Sequence, residues 1–108
     1  MRPLLVVGVS PALAAWAVAQ SGHEQPYWQR FRLPDMAHDN AMSACSAHYP
    51  DCRVVVSGNS GCVAIATTGS QWGVAWAGSQ PRADDAAMRI CDGLNAGPCT
   101  IEHQFCGR

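Results

Sequence analysis

The most continuous apolar stretch of the chain runs from Leu4 to Ala19, behind a single positive residue, Arg2. It contains Gly8 and Pro11 and is shorter than the ~20 residues that a spanning helix needs. It closes on Ala17-Val18-Ala19 before Gln20. Small residues at those two alanine positions are what a signal peptidase accepts. The pattern predicts a secretory signal peptide over 1–19 and a mature chain starting at Gln20. No cysteine stands at that cleavage point, which argues against a lipoprotein. Residues 20–34 follow as a lead-in segment, polar first and then aromatic with Tyr27, Trp28 and Phe31.

Further along, the pattern repeats. Ala37, Asp39, Ala41, Met42 and Cys45 recur as Ala83, Asp85, Ala87, Met88 and Cys91, a shift of 46 positions. The alanines and the cysteine are four apart, so they share one face of a helix. A face this small lets a helix pack closely on a sheet. Asp35, after Pro34, is positioned to cap the first helix. Ser79 is positioned to cap the second, with Pro81 in the first turn, where a missing N–H is harmless. Asp84 and Asp85 suit the positive helix end, and Gly93 is a natural stop. After each helix come a second cysteine, Cys52 or Cys99, and a strand-like run, Arg53–Val56 or Thr100–Phe105. Self-similarity at such a period signals a duplicated supersecondary unit.

Between the copies the periodicity changes to two. Cys62–Thr67 and Trp72–Ala77 read as the strands of a hairpin around Thr68-Gly69-Ser70-Gln71. Alternation puts Trp72, Val74 and Trp76 on one face and Gly73, Ala75 and Ala77 on the other. The predicted order is α-β-β-β-α-β, a small α+β domain over 35–108 with a largely antiparallel sheet and two helices.

Six cysteines lie after residue 20, an even number in a short chain. Behind a signal peptide they read as a disulfide framework in an oxidising compartment. Of 15 possible pairings, the one that respects the repeat is Cys45–Cys52, Cys91–Cys99 and Cys62–Cys106. Zinc is disfavoured, since no Cys-x-x-Cys occurs and His23, His38, His48 and His103 do not pair at finger spacing. The formal net charge is −1, with no lysine and scattered arginines. Nucleic acid is therefore a poor partner.

The Ala-x3-Ala-x3-Cys helix, the Val-rich strand, Cys62-Val63-Ala64-Ile65-Ala66, Trp72-Gly73-Val74-Ala75-Trp76 and the repeated helix closing on Cys99-Thr100-Ile101 and Cys106 together resemble the bacterial DUF4189 family. The resemblance covers roughly Ala37 to Cys106. It implies a short exported protein and carries over no catalytic residue. Many members open with a hairpin rich in Gly, Ala and aromatics ahead of the first helix; here that stretch reads as the charged Gln25–Arg32.

Candidate chemistry is sparse. Gly58-Asn59-Ser60-Gly61 superficially resembles a serine-nucleophile loop, but turn-forming residues explain it and no base is fixed near Ser60. Asp84 and Asp85 are explained by the helix end. His48, between Cys45 and Cys52, reads as a loop residue or a pH-sensitive contact. Trp72 and Trp76, joined by Trp28 and Phe31, are expected to cover one sheet face, with at least one indole partly exposed. Trp72, Trp76, Trp28 and Tyr27 are the candidate binding residues. The expectation is an exported binding module, periplasmic or extracellular, with no enzymatic activity, no cofactor and no stable membrane insertion. Its partner would be a toxin or envelope enzyme that it neutralises as an immunity or inhibitor protein. A secreted effector engaging a host or competitor protein is the alternative, and a small envelope enzyme ranks third.

Overall fold

In the computed structural model, residues 15–107 are described. Among these residues two helices and six strands follow in the order β1 (Ala15–Gln20), β2 (Tyr27–Phe31), α1 (Pro34–Ser46), β3 (Arg53–Gly58), β4 (Cys62–Thr67), β5 (Trp72–Ala77), α2 (Gln80–Asp92) and β6 (Thr100–Cys106). The strands form two antiparallel three-stranded sheets, ordered β2-β1-β3 and β5-β4-β6. The domain is α+β, as the sequence predicts, but the single sheet is corrected to two. The repeating unit is also larger: each half is a hairpin, a helix and a returning strand.

That larger unit corrects the boundary at Ala19. Ala15–Gln20 is the central strand of the first sheet, paired to β2 on one side and β3 on the other, and every residue of it is buried. The alanines read as a cleavage motif are a packing motif. Ala15, Ala17 and Ala19 face α1, with Ala37, Ala41 and Cys45 opposite them. Trp16 and Val18 point the other way, to the second sheet. The residues assigned to the leader ahead of Ala15 lie outside the described residues. The lead-in likewise contributes a strand, β2, and completes the sheet.

The second half repeats the scheme. Ala64 and Ala66 of β4 face Ala83, Ala87 and Cys91 of α2, while Val63 and Ile65 meet Trp16 and Val18. Four layers result, α1, first sheet, second sheet, α2. Central strands buried on both faces need no polar alternation. They alternate small with large instead, because a helix axis approaches a sheet more closely when neither surface carries bulk. Gly73 has the same cause, since a Cβ there would lie 2.8 Å from Ile90 Cγ2 and 3.0 Å from the Cys91 nitrogen.

Both returning strands carry a bulge at the same place. Val18 pairs with Val56 and Ala19 with Val54, leaving Val55 as the extra residue; Ile65 pairs with His103 and Ala66 with Ile101, leaving Glu102. One added residue switches which side chains face the core. Val54 thus packs toward α1 and Val56 toward the other sheet.

Disulfides join Cys45 to Cys52, Cys91 to Cys99 and Cys62 to Cys106. The first two tie each helix to the loop before its returning strand. The third links directly opposed residues of β4 and β6. The helix starts differ from expectation. Leu33 stands at the cap of α1, so Asp35 lies inside the first turn, and neither Leu33 nor Ser79 makes a side-chain capping bond. Asp84 and Asp85 are taken by other partners, Asp84 by Gln80 and Gln104 and Asp85 by Arg89.

Candidate binding surface

The four aromatic residues singled out from the sequence occupy different places. Alternation along β2 turns Tyr27 and Phe31 toward α1 and Trp28 toward the second sheet. Phe31 therefore packs with the α1 cluster, apart from the tryptophans it was expected to join. Tyr27 is stacked on His48, with centroids 5.0 Å apart and planes 2° from parallel, and Tyr49 lies beside it at 6.4 Å. His48 is thus an aromatic-packed loop residue. Trp28 meets His103 at 4.4 Å and Phe105 at 6.3 Å. Arg30 lies over the Phe105 ring and donates to the Cys106 carbonyl at 3.2 Å.

Trp72 and Trp76 sit at opposite ends of β5, opposite Thr67 and Val63 respectively. Trp72 is half-buried against the inter-sheet core and its indole N–H donates to Glu102 Oε1 at 2.8 Å. Its backbone joins the halves, since its N–H donates to the His23 carbonyl and its carbonyl accepts from the buried Gln20 amide. Trp76 is 47% exposed, the indole that stays partly in solvent as the sequence reading expects of at least one. It is nevertheless held. Its indole N–H donates to the Ser60 carbonyl at 2.8 Å, and the ring lies against Gly61, whose φ of +77° is one that side-chain-bearing residues rarely adopt. Gly58-Asn59-Ser60-Gly61 thus works as a turn that seats an indole.

One feature escaped the sequence reading. A cleft of about 260 Å³ opens between α1 and the end of β3, with Asp35 and His38 on one side, Ser57 and Asn59 on the other, and Trp16 and Pro34 as apolar wall. Gly58 lies close against the Trp16 ring, and a Cβ there would press to 3.2 Å from it. His38 and Ser57 both line the cleft, and Ser60 lies outside it. The available signal was the repeat itself, read across all elements rather than helix to helix. Trp16 is buried, and its indole N–H has no hydrogen-bond partner among the described residues. It meets Phe105 edge to face at 5.9 Å. A second open pocket, lined by His23, Glu24, Ser70 and Gln71, lies where the two hairpin turns meet.

Among the described residues no group of three or more His, Cys, Asp or Glu is placed to hold a metal ion, and no helix is long and apolar enough to cross a membrane. Residues 13–106 match the model of a domain family of unknown function, DUF4189. The match begins ahead of β1 and ends at the last cysteine, so it takes in both halves of the duplication. No curated protein and no solved structure matches the chain.

Proposed function

The chain belongs to the DUF4189 family of domains of unknown function, and from that footing we propose that it is an exported, non-catalytic binding module that neutralises a toxin or cell-envelope enzyme as an immunity or inhibitor protein. The observation that carries this reading is Trp76. A large aromatic side chain, half in solvent yet fixed by a hydrogen bond to Ser60, is already ordered for contact. Binding through it forgoes much of the side-chain entropy that a mobile anchor loses, and tryptophan is enriched among interface hot spots. The three disulfides support the reading twice. They fit an oxidising compartment, periplasmic or extracellular, and they stiffen the scaffold that presents the anchor. No cofactor enters this reading, and the partner is a protein.

Export has to be reconciled with β1. Any leader that is removed must leave Ala15–Gln20 in place, so the cleavage expected after Ala19 gives way to processing upstream of the strand.

The test is affinity capture with the oxidised protein from envelope and culture-supernatant fractions, with mass-spectrometric identification. The expected result is a toxin or envelope enzyme whose activity falls on binding, and whose capture drops about tenfold or more for Trp76→Ala, as for a hot-spot residue. Equal capture by Trp76→Ala, or failure to recover any exported enzyme or toxin, would overturn the proposal.

A further inference from the structure

The two halves of the duplication differ between the helix and the end of the returning strand. In the second half hydrogen bonds bridge that space. Gln80 donates to the Val63 carbonyl at 3.1 Å and to Asp84 Oδ1 at 3.0 Å, and Gln104 donates to the other oxygen of Asp84. Strand pairing fixes the equivalences in the first half. Ser57 opposes Ala17 as Gln104 opposes Ala64, and Gly58 opposes Trp16 as Phe105 opposes Val63. With the helices aligned on their buried alanines, Pro34 stands for Gln80 and His38 for Asp84. Proline has no side-chain donor, and serine is too short to cross. The latch is gone, and the 260 Å³ cleft stands in its place.

The groups that replace the latch specify an occupant. Among the described residues, the one of fixed charge lining the cleft is Asp35. Ser57 Oγ, the Asn59 side-chain oxygen and a His38 ring nitrogen are all able to accept hydrogen bonds. Among the described residues no arginine lines it, while Pro34 and Gly58 offer apolar surface beside the buried Trp16. The volume falls below the ~300–1,000 Å³ typical of pockets for drug-sized ligands and suits one long side chain. We infer that this cleft is a receptor for a basic side chain of the protein partner, an arginine with its stem along Pro34 and its guanidinium on Asp35. A planar fork of donors matches a carboxylate flanked by further acceptors better than a point charge does. The inference rests on the proposed binding role and adds the chemistry of what is bound.

A small probe tests the cleft independently of the partner. N-acetyl-arginine amide is titrated into the oxidised protein while the Trp16 indole and His38 ring signals are followed by NMR, with N-acetyl-glutamate amide and methyl glucoside in parallel. The expected result is a saturable shift with the arginine probe alone. It should weaken about tenfold or more in Asp35→Asn, where the charge assistance is lost. It should also vanish in Ser57→Gln, which places the second half's longer side chain across the opening. Asp35 and Ser57 are exposed, so intact disulfides by non-reduced mass and a native spectrum confirm folding of both variants. No saturable shift, an equal response to the acidic or sugar probe, or undiminished binding by Asp35→Asn would overturn the assignment. Such a result leaves capture through Trp76 standing, whereas failed capture with a positive titration removes only the partner reading.

Discussion

Gly61 and Trp76 form a two-residue device in which a backbone conformation decides where an indole goes. A Cβ at Gly61 would fall 2.5 Å from the Trp76 Nε1, and the φ of +77° disfavours it further. Gly61→Ala should therefore cost about 1–2 kcal/mol from the left-handed backbone alone. It should also displace the indole, read as a lower urea midpoint with a changed near-ultraviolet tryptophan signal. Gly73 is the packing counterpart. Gly73→Ala must push into Ile90 and the α2 backbone, an overpacking of about 1–3 kcal/mol measurable by the same denaturation. At this scale the sequence was partly legible. Alternation placed Trp72 and Trp76 on one side of β5, but strand periodicity carries no information on which end of an edge strand the neighbouring sheet covers.

Among the elements, β1 carries the sharpest consequence. It is the middle strand of its sheet and lends Trp16 and Val18 to the interface between the sheets. A chain beginning at Gln20 would leave β2 and β3 without a strand between them, along with the alanine face of α1. It should fail to fold, seen as loss of near-ultraviolet ellipticity and failure to form three disulfides, and the protein isolated from its native cells should keep Trp16 when its N-terminus is sequenced. Recovery of a folded, disulfide-bonded protein starting at Gln20 would contradict this. Trp16→Ala should cost about 3–5 kcal/mol by chemical denaturation, as for a large aromatic removed from a core. The misreading has a physical origin. A signal peptidase and a closely packed helix both demand small residues at alternate positions, so Ala17-Val18-Ala19 satisfies either. Its counterpart Ala64-Ile65-Ala66 carries the same alternation in β4.

Across the whole molecule, the disulfides should contribute unequally. Cys45–Cys52 and Cys91–Cys99 span 7 and 8 positions, Cys62–Cys106 spans 44. Loop-closure entropy makes the long one worth about 1.5 kcal/mol more than either short one. Paired serine replacements, Cys62→Ser with Cys106→Ser against Cys45→Ser with Cys52→Ser, should separate by that amount in urea unfolding; equal losses would refute the ordering.

What the sequence determined by itself is everything that depends on local spacing. Two helices follow from alanines and cysteines four apart, the hairpin from period-two alternation around Gly69, and the cysteine pairing from the duplication. What the tertiary structure decided is everything that depends on a second surface. That includes the fate of Ala15–Gln20, the division into two sheets, the exposure of Trp76, and the cleft where Pro34, His38 and Ser57 stand in for a latch. Local spacing fixes which side chains share a face. Only assembly fixes what that face meets, because strand pairing and sheet stacking join residues tens of positions apart whose partnership leaves no trace in their immediate neighbours.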